Sequence, residues 1–189
     1  NANNILGLYE DYRVTTIKVD IRDRDSLNRL YKLYTPEITY HFAAESHVDR
    51  SIESSFEFLH TNVRGTQNLL DISQKFGVER YLQISTDEVY GAIPVGSWEE
   101  DEPLQPNSPY SASKAAQESI CYSYWRTFGV PMVLTNTMNI VGERQDTEKF
   151  IPMIISNLIN RKPIPVHAKK ILDKWVSGSR FYLHARNQA

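Results

Sequence analysis

Apolar, β-branched runs alternate along this chain with helical patterns, and that alternation limits its fold more than any other feature. Residues 14–20 alternate with period two and read as a strand. Asp25-Ser26 can cap a short helix carrying Leu27, Leu30 and Leu33. Residues 38–44 read as the next strand. Leu59, Val63 and Leu70 fall on one face of a long helix over residues 55–76, which Gly77 ends. Residues 81–85 read as a third strand. Ser108 as N-cap with Pro109 behind it opens a helix to Phe128, closed by Gly129. Residues 131–136 read as a fourth strand and residues 150–161 as a fourth helix. Strands separated by helices form βαβ units, so the expected class is α/β, a parallel sheet with helices on both faces. Residues 91–107, with Pro94, Pro103 and Pro106, read as a long loop, functional or mobile. The tail after Arg161 is poorly patterned.

Composition narrows the function classes. The 189 residues suffice for one domain with a sizeable core. With 21 Lys+Arg against 23 Asp+Glu the formal charge is −2, without the basic footprint that phosphate neutralisation demands, so nucleic acid is not an expected partner. No apolar run reaches the length of a membrane span, and Asn1-Ala2-Asn3-Asn4 has neither the basic nor the apolar region of a secretory signal. Cys121 is the single cysteine, which excludes an intramolecular disulfide and makes a reducing, cytoplasmic compartment the expectation. The five histidines show no metal-ligand spacing, so no metal is expected.

Three segments could carry chemistry. Tyr110 and Lys114 stand four apart on the predicted helix and so share a face. A phenol of pKa about 10 needs roughly 4 kcal/mol of differential stabilisation to act as a base near neutrality, and a neighbouring ammonium is the kind of group that supplies it. Y-x-x-x-K alone is common by chance, but here the pair sits among small residues, Ser111-Ala112-Ser113, that let a ligand approach closely. Thr86-Asp87-Glu88 follows a strand directly, where ligands of open parallel sheets bind, and two adjacent carboxylates can divide acid and base roles. Ala43-Ala44-Glu45-Ser46-His47 also follows a strand, with two small residues and polar side chains beside them. Asp20, ending the first predicted strand, could meet the adenine end of a dinucleotide; an ordinary turn residue is nearly as good a reading.

Taken together, Ala43-Ala44-Glu45-Ser46-His47-Val48-Asp49-Arg50-Ser51-Ile52, Thr61-Asn62-Val63-Arg64-Gly65-Thr66, Ser85-Thr86-Asp87-Glu88-Val89-Tyr90-Gly91 and Tyr110-Ser111-Ala112-Ser113-Lys114 resemble the extended short-chain dehydrogenase/reductase family. Within it, the chain resembles nucleotide-sugar 4,6-dehydratases of the dTDP-glucose type. Glu148-Lys149-Phe150-Ile151-Pro152 and Lys162-Pro163-Ile164-Pro165-Val166 extend the match. The Thr-Asp-Glu triplet is its specific part. The resemblance implies a Rossmann-like sheet lacking its first βαβ portion, because no G-x-G-x-x-G turn is present. Residues 1–145 would then be the NAD-binding domain and residues 146–189 the beginning of a substrate region.

The resemblance also implies an internal redox cycle. Tyr110, assisted by Lys114, would take the sugar 4-OH proton as hydride leaves C4 for NAD⁺. Glu88 would remove the C5 proton while Asp87 protonates the departing 6-OH, and hydride would return at C6. Thr86 would orient the sugar near O4. Asp20, Ile21, Ala43, Ala44, Glu45 and Thr61, with Tyr110 and Lys114, would hold NAD. Ser46, His47, Asn139, Lys149, Phe150, Pro165, Val166, His167 and Arg180 would face the nucleotide-diphosphate sugar. Met138-Asn139-Ile140-Val141-Gly142 departs from the family's usual Ser-Asn-Asn-Tyr-Gly and alters that wall. A homodimer through a four-helix bundle is the implied assembly. The alternatives are a nucleotide-sugar 4-epimerase or other extended-family activity, or a non-catalytic scaffold fragment.

Overall fold

Three parallel strands, β1 (Ile38–His41), β2 (Arg80–Ile84) and β3 (Met132–Thr135), lie side by side in chain order. The computed structural model describes residues 7–93, 96–166, 168–171, 173–177 and 181–188. Contacts divide the chain into two compact units, Lys18–Thr137 on the one hand and Asn1–Ile17 with Met138–Ala189 on the other. The first unit is Rossmann-like, a parallel sheet packed against helices, as the alternation predicts.

Helix α1 (Arg24–Tyr34) leads into β1. Its cap is Asp23 rather than Asp25-Ser26, the Asp23 carboxylate accepting from the Ser26 N–H. After β1 come α2 (Val48–Glu53) and α3 (Phe56–Phe58). The predicted helix over residues 55–76 forms, but in pieces: α3 passes into a π-helical segment, Leu59–Gly65, and then into α4 (Thr66–Phe76). Its inward face is polar in the middle, where Asn62, Thr66 and Asn68 are buried while Leu59 is half exposed. Helix α5 (Pro109–Phe128) has the bounds that its sequence signals give, because Ser108 and Ser111 form a reciprocal cap and Gly129 closes it in the left-handed region.

The core lies between the sheet and helices α1, α4 and α5, built from Leu27, Tyr31, Leu69, Leu70, Ile72, Val78, Tyr81, Cys121 and Val130. On the opposite side of the sheet Ile38, Tyr40 and Val133 are exposed. The predicted strand over residues 14–20 is not formed. Its alternation is real, but a strand needs a ladder partner, and no described strand pairs with it. Strand β1 stops at His41, short of the predicted Ala44, so that residues 42–47 run as a loop.

The second unit contains β4 (Asn139–Val141) paired in parallel with β7 (Tyr182–His184), the antiparallel pair β5 (Ala168–Ile171) and β6 (Lys174–Ser177), and helices α6 (Phe150–Ile159) and α7 (Ala185–Gln188). Short strands therefore occupy the tail that shows no pattern in sequence. None of this unit's described residues is buried.

Candidate active site

The carboxyl ends of β1, β2 and β3 lie along one edge of the sheet, the edge where open α/β sheets take ligands. Each releases a loop there. Strand β2 releases Ser85 and Thr86, followed by a short 3-10 segment, Asp87–Tyr90. The Thr86 hydroxyl caps that segment, accepting from the Glu88 N–H at 3.3 Å and donating to Asp87 Oδ1 at 3.3 Å. Gly91 closes it at φ +82°, where an added Cβ would also overlap the Gln105 carbonyl. The proline-rich loop that follows is tied down in two places: the Gln105 N–H donates to the Val89 carbonyl at 2.9 Å, and the Tyr90 hydroxyl to the Glu100 carbonyl at 3.1 Å.

Helix α5 brings Tyr110 and Lys114 to this edge. The Tyr110 N–H donates to Ser51 Oγ at 3.1 Å, which ties the first turn of α5 to α2. Its phenol hydrogen-bonds with Thr86 and is faced by Glu88 and Asp87, so four of the five predicted catalytic residues converge, with Lys114 one turn further along α5. Burial first, then Glu88, push the phenol up to about 12, the Thr86 hydrogen bond pulling the other way. This reverses the expected lowering. The Lys114 ammonium, 4% exposed, donates to the Ile84 carbonyl at 2.6 Å, and burial lowers it to about 8. The phenol is therefore a held proton donor that becomes a base only when further positive charge arrives beside it.

The β1 loop joins the same edge through a residue that sequence reasoning missed. Asn62, fully buried in the π-helical segment, accepts from the Glu45 N–H at 2.8 Å and donates both to the Glu45 carbonyl at 3.0 Å and to Ser113 Oγ at 2.8 Å. Ser113 in turn donates to the Tyr110 carbonyl at 2.7 Å. The signal was an amide in the middle of a helical stripe, which apolar periodicity does not weigh. Deeper, His41 Nε2 shares the Thr66 hydroxyl with Gln117, and burial lowers this imidazole to about 3.

A cleft of about 480 Å³ opens beside this network, lined by Lys18, Val19, Asp20, Ile21, Ala43 and Thr61. Four of these, Asp20, Ile21, Ala43 and Thr61, are predicted cofactor residues. The cleft has the size of a small-molecule site and offers aliphatic walls, a carboxylate and a hydroxyl, a lining that suits the adenosine end of a dinucleotide. Asp20 is held by a bidentate pair with Arg22, which also keeps its carboxyl below the usual range. Gly65 lets Ile21 lie against the helix, since an added Cβ would overlap that side chain. Ala44 adjoins the cleft-lining Ala43 in sequence; Ser46 and His47 stand on the same loop, His47 at the N-cap position of α2. Asn139, Lys149, Phe150, Pro165 and Val166 belong to the other unit, on β4, at the start of α6 and before β5. His167 and Arg180 lie outside the described residues. Among the described residues no group of His, Cys, Asp and Glu is placed to hold a metal ion, and no helix is long and apolar enough to cross a membrane.

The profile of the GDP-mannose 4,6-dehydratase family matches residues 1–186. The low-salt glycan biosynthesis protein Agl12 of Haloferax volcanii is 43% identical over 167 residues, covering 88% of this chain and 53% of its own length. The dTDP-glucose 4,6-dehydratase of Streptomyces antibioticus is 44% identical over 158 residues, covering 84% and 47%. The crystal structure of DesIV, a dTDP-glucose 4,6-dehydratase from Streptomyces venezuelae with NAD and TYD bound, superposes with a TM-score of 0.92 at 40% identity, covering all of this chain and 56% of that one. The chain thus spans about half the length of the curated relatives it matches.

Proposed function

The chain belongs to the GDP-mannose 4,6-dehydratase family, and on that premise we propose that the protein it forms is an NAD-dependent hydro-lyase that converts a nucleotide-diphosphate hexose, of the dTDP-glucose type, to its 4-keto-6-deoxy sugar. The observation that carries the reading is the convergence of Thr86, Asp87, Glu88, Tyr110 and Lys114 at one sheet edge. A 4-epimerase needs the phenol and ammonium but has no use for an adjoining acid couple. Similarity to dTDP-glucose 4,6-dehydratases supports the same choice.

Asp20, Ile21, Ala43, Ala44, Glu45, Thr61, Tyr110 and Lys114 would hold NAD, which would supply an acceptor for the C4 hydride and the donor for its return at C6. Tyr110 takes the 4-OH proton through its phenol oxygen, and Lys114 holds positive charge beside it. Thr86 orients the sugar through its hydroxyl. Once C4 is a ketone the C5 proton is acidic; Glu88 removes it, and Asp87 gives a proton to the departing 6-OH, which leaves as water. Two carboxyl groups are needed because elimination uses a base and an acid on neighbouring carbons.

Residues 1–145 act in this reading as the cofactor domain and residues 146–189 as the start of the substrate region. Ser46, His47, Asn139, Lys149, Phe150, Pro165, Val166, His167 and Arg180 face the nucleotide-sugar. The protein works in the cytoplasm as a homodimer whose helices over residues 55–76 and 109–128 pair with their copies; exposed Phe56, Leu59, Tyr122 and Trp125 support that interface. The test is product analysis of the full-length protein with NAD and dTDP-glucose. A product lighter by one water and carrying a 4-keto group is expected; an isomer of unchanged mass would contradict the reading. Sedimentation that finds a monomer would contradict the dimer.

A further inference from the structure

Tyr110, Lys114 and Glu118 follow each other at four-residue intervals along α5 and so form one stripe. The proposed chemistry uses the first two. Glu118 is a half-buried carboxylate, and such a group is costly to keep unless its lone pairs are satisfied. It accepts a hydrogen bond from the Ser85 hydroxyl, and another from Asn136 Nδ2 at 2.7 Å. Ser85 is the last residue before Thr86-Asp87-Glu88. Asn136 follows β3 and precedes Thr137, whose carbonyl accepts from the Asp87 N–H at 3.1 Å. The Ser85 N–H reaches the Thr135 carbonyl at 2.8 Å. One carboxylate thus grips both strand ends between which the acid couple is suspended.

Resting its catalytic consequence on the dehydratase reading, we infer that Glu118 is a positioning residue: by clamping Ser85 and Asn136 to α5 it sets where Thr86-Asp87-Glu88 stands relative to Tyr110 and Lys114. Without it, β2 and β3 keep their ladder and α5 still holds β2 through Lys114 on the Ile84 carbonyl and Cys121 on Gln83 Oε1, but Ser85 and Asn136 lose their tie to that helix. Displacements of about 1 Å at such sites cost on the order of a hundredfold in rate.

Glu118 also faces Lys114 from one turn away. Burial lowers that ammonium, and Glu118 is the largest influence holding it up, followed by Cys121 on the same helix. His41 on β1 is the further titratable group that senses Lys114, and Tyr90 on the 3-10 segment faces Glu118. Burial raises the Glu118 carboxyl, opposed by Ser85, Asn136 and Lys114.

The test uses Glu118→Ala, Glu118→Gln and Glu118→Asp in the full-length protein. The clamp predicts a dehydration kcat lower by about 10- to 100-fold in Glu118→Ala with little change in KM, and partial rescue in Glu118→Asp. Independently of any reaction, amide exchange at Asp87 should quicken about tenfold in Glu118→Ala, and the Lys114 side-chain titration followed by NMR should move to lower pH in Glu118→Gln. A kcat within about two-fold of wild type, or unaltered Asp87 exchange, overturns the inference. Should wild type yield no dehydrated sugar, the dehydratase reading falls, and Asp87 exchange still decides the clamp. Should Glu118→Ala not fold, Glu118→Leu, which fills the space without an acceptor, carries the same measurements.

Discussion

The catalytic stripe and the cofactor cleft belong to one compact unit and are built on opposite principles. Along the stripe and beneath it polar groups are buried or half-buried and hydrogen-bonded: Lys114 on the Ile84 carbonyl, Glu118 between Ser85 and Asn136, and, deeper, His41 and Gln117 on Thr66. In the cleft the polar groups stay in water, with the Asp20 side chain 48% exposed and Ala43 exposed. Burial converts small displacements into large shifts of proton affinity, whereas an open cleft recognises mainly by shape. Lys114 sits where solvent screens it little and Tyr110 is half-buried, whereas Asp87 at the same edge is exposed, as the cleft is.

Four substitutions should expose that contrast, in falling order of effect. His41 comes first. Its imidazole is lowered to about 3 from 6.5, so the unfolded chain takes up a proton that the folded chain refuses. Stability from this group is complete above pH 6.5 and is lost as pH falls toward 3, by roughly 5 kcal/mol in all. Urea titrations across that range should show a steep slope in wild type and a flatter one in His41→Gln; equal slopes would break the contrast. Next, Tyr110→Phe in the full-length protein should lower kcat by about a thousandfold, roughly 4 kcal/mol, in steady-state assays of product. Gly91→Ala should destabilise by about 1–3 kcal/mol in thermal melts, since φ +82° and the Gln105 carbonyl both oppose a Cβ. Smallest is Asp20→Ala in the open cleft, where calorimetry should find NAD binding weakened by about 1 kcal/mol, several-fold. A loss as large as that of Tyr110→Phe would show that the cleft is no mere holder.

Local signals made part of this legible. Ser108, Pro109 and Gly129 fix α5 without reference to the rest of the fold, and α5 in turn puts Tyr110 and Lys114 on one face. Strands β1 and β2 are readable because each buries alternate side chains, whereas β3 buries none of its residues fully. The run over residues 14–20 shares their alternation yet forms no strand, since pairing is a property of two segments and periodicity of one. Strands β4 to β7 span three or four residues each, with no longer alternating apolar run around them to mark them. Asn62 and Glu118 escape a reading that seeks apolar stripes, because their task is to satisfy backbone and hydroxyl groups that only the assembled fold brings near. The direction of the Tyr110 shift was likewise out of reach. Sequence spacing puts an ammonium within a turn of the phenol, but the ammonium's hydrogen bond goes to the Ile84 carbonyl, and two carboxylates face the phenol instead.

In the proposed reaction one sugar ring meets both the phenol–ammonium couple and the acid pair beside one dinucleotide. Incubating the full-length protein and NAD with dTDP-glucose deuterated at C4, then locating the label by NMR, tests this directly. The account predicts deuterium at C6 of a 4-keto-6-deoxy product, carried there within the same active site. Deuterium that stays at C4, or label that never reaches C6, would contradict it.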